Sequence, residues 1–162
     1  EKPSSYEGLE ILQNVARMSL TGIPLLNTKD RAHGEARGLA KFQYGEMSDF
    51  LIKSEISGRM PYKLRCGDFA AMSPVVGGFG LTLNGAIAYA SQGGPIVVAE
   101  DFKLIGDLFA VGVKSYKGNW NIGDQVVIKQ NDEVTAVGIA KMVPEEMISM
   151  NRGVAVEVRH HV

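Results

Sequence analysis

Two groups of residues in this chain have types and spacing that could do chemistry. Phe109 follows a Gly106-Asp107 turn, and an aromatic ring at the mouth of a strand can stack on an unpaired base, a contact worth roughly 1–3 kcal/mol. An ordinary core phenylalanine explains it nearly as well. Lys103, Lys114, Lys117, Lys141, Arg152 and Arg159 are cations that could hold phosphates, although for any one lysine plain solvation is the simpler role. Arg152 stands out beside Gly153, at a helix-to-strand junction from which a guanidinium could grip a phosphate with two nitrogens. A salt bridge or a helix C-terminal charge is its alternative. Gly106 and Gly112 carry no Cβ and would let a ribose-phosphate chain approach closely; tight turns account for them too.

Other candidates fare worse. His33, His160, His161 and Cys66 could be assembled into a metal site on paper, but neighbouring strand residues point to opposite faces, so His160 and His161 would not share an ion. Gly77-Gly78-Phe79-Gly80 has the spacing of neither phosphate-binding fingerprint. No serine or cysteine lies in a nucleophile motif, and Asp68, Asp107 and Asp124 read as turn residues. Met142, Met147 and Met150 suit core filling. Trp120, between Asn119 and Asn121, is either a loop lid or a stacking residue.

Composition narrows the classes further. The 162 residues are 45% apolar, enough for one ordinary domain or two small ones, which excludes a disordered chain. Charges balance at 17 basic against 18 acidic residues, so the whole molecule is no polyanion coat. From Pro95 onward there are seven Lys and Arg against nine Asp and Glu, and a cationic face must arise by segregation, with Asp132, Glu133, Glu145 and Glu146 turned away. The lone Cys66 cannot form an internal disulfide, which suits a reducing cytoplasm. No apolar run approaches the roughly 18 residues of a membrane span. Glu1-Lys2-Pro3-Ser4 has no signal-peptide pattern, and the missing initiator Met suggests a processed or trimmed chain.

The elements that must position these side chains fall into three stretches. Ser4-Ser5-Tyr6-Glu7 is a capping box that opens an amphipathic helix ending before Gly22-Ile23-Pro24, and residues 27–38 read as a connecting loop or short helix. Between Ala36 and Gln92, short segments (Leu39 to Tyr44, Phe50 to Ser54, Tyr62 to Arg65, Phe69 to Met72, Phe79 to Leu83) separated by glycines and prolines predict a small antiparallel sheet. Leu83 to Ala90 predicts a helix capped by Thr82. Gly93-Gly94-Pro95 marks a boundary. Beyond it, Ile96 to Ala99, Phe109 to Val113, Asp124 to Lys129, Val134 to Met142 and Val154 to Val162 predict five strands. Asn131-Asp132-Glu133 fits a hairpin loop, and a short helix opens at Pro144. So many strands in under seventy residues imply a nearly closed barrel.

Gly106-Asp107-Leu108-Phe109-Ala110-Val111-Gly112-Val113, Ile122-Gly123-Asp124-Gln125-Val126-Val127-Ile128, Ala136-Val137-Gly138-Ile139-Ala140 and Met150-Asn151-Arg152-Gly153-Val154-Ala155-Val156 occur in an order and spacing similar to the PUA domain. That is the RNA-binding module named after pseudouridine synthases and archaeosine transglycosylases. Glu145-Glu146-Met147 leading into residues 152–159 resembles the C-terminal end of archaeal tRNA-guanine transglycosylase. Ala40-Lys41-Phe42-Gln43-Tyr44-Gly45 and Gly80-Leu81-Thr82-Leu83-Asn84-Gly85-Ala86 resemble the small α+β domain before it.

The resemblance implies an α+β protein: residues 1–35 as an N-terminal helix and loop, 36–93 as a small antiparallel α+β domain, and 94–162 as a PUA-like β pseudo-barrel. It implies a cytoplasmic, archaeal-type partner of structured RNA, tRNA above all, with no membrane role. A transglycosylase of that family carries its catalytic carboxylates on a (β/α)8 barrel of about 250 residues, for which this chain has no room. One cysteine cannot supply a multi-cysteine zinc site either. The expectation is therefore RNA docking without a cofactor and without catalysis on this chain alone, either beside a catalytic transglycosylase subunit as one part of a split enzyme or as a free-standing PUA protein. Lys103, Gly106, Phe109, Gly112, Lys114, Lys117, Lys141, Arg152 and Arg159 would form the face. A structural or assembly module in ribosome biogenesis or partner recruitment is the alternative.

Overall fold

A computed structural model describes residues 34, 38–45, 56–57, 63–66, 69–75 and 78–162. The helix expected from Ser4 and the segment Phe50 to Ser54 lie outside the described residues. Contacts divide the chain into Glu1–Glu35 and Ala36–Val162, and the elements below belong to the second unit.

Residues 38–44 are helical (α1). This corrects the expectation that Leu39 to Tyr44 joins the small sheet. Ala40 and Tyr44, four apart, are buried on one side while Leu39, Lys41, Phe42 and Gln43 are exposed, a helical stripe in place of strand alternation. The small sheet runs in the order β1 (Ile56–Ser57), β2 (Lys63–Cys66), β3 (Phe69–Val75), β4 (Gly78–Leu81), all antiparallel. Helix α2 (Leu83–Ser91) follows at once. Its cap is Thr82, whose hydroxyl accepts from Gly85 N at 3.1 Å and donates to Ala70 O at 2.6 Å, so one side chain starts the helix and ties it to β3.

After Pro95 a six-stranded sheet forms from β5 (Ile96–Ala99), β6 (Leu108–Phe109), β7 (Val113–Lys117), β8 (Gln125–Gln130), β9 (Glu133–Ala140) and β10 (Val154–His161), in the order β6-β10-β9-β8-β5-β7. Only β5 and β8 pair in parallel. The strand expected over Phe109 to Val113 is split: β6 stops at Phe109, Ala110–Gly112 makes one turn of 3-10 helix, and β7 leaves on the opposite edge. The two edge strands are thus consecutive in the chain and meet at that turn, which closes the curled sheet without a further ladder. Asn131 and Asp132, at φ 50° and 66°, form the two-residue hairpin between β8 and β9. Helix α3 (Pro144–Ser149) begins with proline, as expected.

Strands β8 and β9 are buried on both faces. Val126, Ile128, Ala136 and Ala140 fill the barrel together with Leu108, Trp120, Met147 and Val156. Val127 and Val137 point the other way and pack with Tyr44, Met72, Leu81, Ala86 and Tyr89. That is why Val126-Val127-Ile128 is a continuous apolar run.

Polar side chains close the free edge of β4. Gln125 accepts from Leu81 N through Oε1 at 2.7 Å and donates through Nε2 to Phe79 O at 2.8 Å and to the Tyr44 hydroxyl. Tyr44 donates to Phe79 O at 2.7 Å, and Gln43 Oε1 accepts from Phe79 N at 2.9 Å. Burial, with Tyr89 alongside, pushes the Tyr44 hydroxyl far above the usual phenol range, so it stays a neutral donor. Gln125→Leu would orphan Leu81 N in a half-buried site. The expected loss is about 1–3 kcal/mol of stability, read from the urea midpoint; an unchanged midpoint would show that water replaces the amide.

Candidate nucleic-acid interface

The interface is built at the end of the barrel where β6 meets β10. Leu108 is fully buried and Phe109 is 51% exposed, the alternation of a strand with one wet face. Phe109 is therefore not a core residue. It pairs with Val154, and Ala110 N donates to Gly153 O at 2.9 Å, which fixes the Phe109 backbone beside the Arg152-Gly153 turn. The sequence predicts that the short helix closes at Arg152-Gly153, but α3 ends at Ser149 with Met150 as its cap, and Gly153, at φ 100°, instead makes the turn that leads into β10.

The loop before β6 is held from below by Gln130, a buried side chain whose Nε2 donates to Glu100 O at 2.6 Å and Phe102 O at 2.8 Å. Sequence reasoning missed Gln130; its only signal was a polar residue ending an apolar strand. Asp107 Oδ1 accepts from Val158 N at 2.9 Å, so this turn residue also ties the loop to β10. The loop leaves Lys103 and Ile105 (75% exposed) in solvent, and Val111 (71%) is likewise exposed in the turn after β6.

The two candidate glycines separate by cause. Gly106 has φ 77° with open space where a Cβ would sit, so the turn conformation requires it. At Gly112 a Cβ would lie 3.0 Å from the Phe102 ring, so the close approach there is internal, by Phe102.

The cations divide likewise. Lys141 Nζ lies 2.6 Å from Glu157 Oε2, and an Arg159 nitrogen lies 3.1 Å from Glu157 Oε1. Glu157, an acid not counted among those to be turned away, thus engages two of the expected phosphate ligands. The Lys141 hydrogen bond, then the charges of Arg159 and Lys141, hold its carboxyl below the usual range. With a lowered folded value, the ion pairs stand at neutral pH and are lost only as pH falls through that value. Lys103, Lys114, Lys117 and Arg152 are exposed and form no ion pair with any described residue. Lys114 and Lys117 stand on edge strand β7, which the Ala110–Gly112 turn joins to β6 and Phe109.

Trp120 is buried; its Nε1 donates to Met142 O at 3.0 Å and its ring meets Tyr116 edge-on at 5.7 Å, so it closes the barrel and is not available to stack. Asp124 Oδ2 accepts from Asn121 N at 2.8 Å, a turn role. Met147 is core, but Met150, one residue past α3, is 48% exposed, because the helix has ended before its side chain can turn inward. His160 and His161 are both exposed, and no group of three metal-ligating side chains occurs among the described residues. No helix among the described residues is long and apolar enough to cross a membrane.

Comparison with known proteins matches residues 98–162 to the PUA domain family. Residues 98–162 are a PUA domain. A solved PUA domain protein from Thermoplasma acidophilum shares the fold, with a TM-score of 0.59 at 20% identity over 77% of this chain and 89% of that one. The whole chain is similar to archaeosine synthase from Haloferax volcanii, 30% identical over 170 residues covering 99% of this chain and 28% of that protein. It is likewise similar to archaeosine synthase subunit alpha from Methanosarcina acetivorans, 30% identical over 172 residues, 99% of this chain and 27% of that protein. The chain spans under a third of the length of these curated relatives. The described residues have the expected α+β class, a small antiparallel sheet with its helix followed by a curled PUA-type sheet.

Proposed function

We propose that this chain binds tRNA in archaeosine modification, its PUA domain docking the acceptor end while bond making happens outside these residues. The observation that carries the reading is the exposed Phe109 at the end of β6, whose pairing with Val154 brings the exposed Arg152, two residues before β10, to the same end of the barrel. A planar ring offers a sequence-tolerant stacking surface. A guanidinium next to it can take a phosphate bidentately. Paired RNA hides its base edges in a deep groove, so such a face suits an end or a splayed strand. The similarity to archaeosine synthases supports tRNA as the RNA and a catalytic transglycosylase or synthase unit as the partner.

Titration of mature tRNA against tRNA lacking its 3′-terminal nucleotides, at several salt concentrations, tests this. The intact end should bind more tightly. Two to four engaged phosphates give a slope of log K against log salt of about −1.4 to −2.8. Equal affinity for both RNAs refutes acceptor-end docking, and preferential recovery of ribosomal precursors would favour an assembly role.

Glu157 competes with phosphate for Lys141 and Arg159. Glu157→Gln should raise tRNA affinity several-fold and steepen the salt slope by up to about 1.4, one increment per freed cation. If neither changes, Lys141 and Arg159 lie outside the RNA path.

A further inference from the structure

We propose that the cavity between α1, the C-terminal end of α2 and the loop entering β8 is a second nucleobase site, for a base bearing an exocyclic amino group, guanine best. The proposal rests on the RNA-binding reading above and adds a pocket distinct from the Phe109 face, from which β8 is separated by β9 and β10 in the sheet order.

The cavity has a volume of about 230 Å³, with Gln43, Tyr44, Tyr89, Asn119, Asp124 and Gln125 among its walls. Gly93 and Gly118, at φ 91° and 89°, border it without side chains. Gln125 and Tyr44 are consumed in closing the β4 edge. The other polar walls keep free capacity. Gln43 uses Oε1 on Phe79 N, Asn119 uses Oδ1 on Trp120 N at 2.9 Å, and both leave their amide nitrogens unengaged by described residues. Asp124 uses Oδ2 on Asn121 N and leaves Oδ1 open.

Tyr89 points to a ligand independently. It is only 6% exposed and packs edge-on against Tyr44 with ring centroids 5.5 Å apart, yet its hydroxyl bonds to no described residue. No fully enclosed side-chain polar atom among the described residues lacks a partner, so this hydroxyl opens into the cavity. Burial, then the Asp124 charge, pushes it up to about 12, which keeps it a neutral donor at physiological pH.

Aromatic walls, carboxamide donors and one carboxylate acceptor select a planar heterocycle. A carboxylate accepts from ring amino and imino groups and repels phosphates and carbonyl edges. Guanine matches best because its amino and imino N–H groups lie side by side, where the open Asp124 Oδ1 can accept from them, while carboxamide nitrogens serve its O6 and N7 acceptors.

The test is an NMR titration of the whole chain with GMP, AMP, CMP and UMP, read at the side-chain amides of Gln43 and Asn119 and the Trp120 indole. GMP should give saturable millimolar binding, with UMP about tenfold weaker. Tyr89→Phe removes a hydroxyl without a protein partner, and Asp124→Asn keeps an acceptor for Asn121 N, so both should fold normally and weaken GMP several-fold. No saturable shift, equal binding of all four nucleotides, or shifts centred on Phe109 would overturn the proposal. Displacement of tRNA by saturating GMP would assign the pocket to an RNA base; undisturbed tRNA binding would assign it to a free nucleotide. The GMP titration contains no tRNA, so failure of acceptor-end docking and failure of this site are read separately.

Discussion

Phe109→Ala is expected to weaken tRNA binding by about 1–3 kcal/mol, roughly fivefold to 150-fold, while leaving the unfolding midpoint unchanged. Both halves follow from the same geometry. The ring is half exposed and the neighbouring core position is filled by Leu108, so truncation opens no cavity of the kind that makes core aromatics costly. What disappears is a flat apolar surface held at a fixed place by the Val154 pairing and the Ala110–Gly153 hydrogen bond. Phe109→Tyr keeps that surface and should retain affinity. Fluorescence anisotropy with labelled tRNA, paired with thermal unfolding, reads both quantities. Wild-type affinity in the alanine variant would refute the stacking role, and a collapsed midpoint would return Phe109 to the core.

Gly85→Ala should be the most damaging methyl group added to this fold, costing about 3 kcal/mol. Helix propensity argues the other way, since alanine is favoured over glycine inside a helix by about 1 kcal/mol. The clash decides the sign. A Cβ at Gly85 would lie 1.8 Å from the Ala71 carbonyl oxygen, a backbone atom that cannot rotate aside, and α2 is tied to β3 there through Thr82. The helix would have to lift from the small sheet, taking Ala86 and Tyr89 out of the core they share with Val127 and Val137. Gly106→Ala is the contrast: it meets open space and should cost only the roughly 1–2 kcal/mol of a left-handed backbone. Urea denaturation orders the two, and a smaller loss at Gly85 would show that α2 can move away from β3.

Local signals carried the β framework and the helix starts. Thr82 before Leu83, Pro144 before two glutamates, the Asn131-Asp132 turn and the valine-rich run from Val154 onward each act over a few residues, where propensity and capping suffice to choose the conformation. The helix over Leu39 to Tyr44 is not legible in the sequence because its evidence is one buried pair, Ala40 and Tyr44, whose burial depends on what packs against them. The break at Ala110–Gly112 was likewise invisible, because Ala-Val-Gly suits a strand until barrel closure requires the chain to change edges.

The candidate interface shows the same division. From the sequence alone, Phe109, Arg152 and the lysines could be named as residue types able to stack or to hold phosphate, and the PUA pattern could be seen in their spacing. The tertiary structure decided which of them are free. Phe109 faces solvent because Leu108 takes the inward position, Lys141 and Arg159 are engaged by Glu157, and Gly112 gives room to Phe102. Capping and alternation act between near neighbours and are written in residue order, whereas ion pairing, burial and close approach depend on distances between residues far apart in the chain, which only the folded backbone sets.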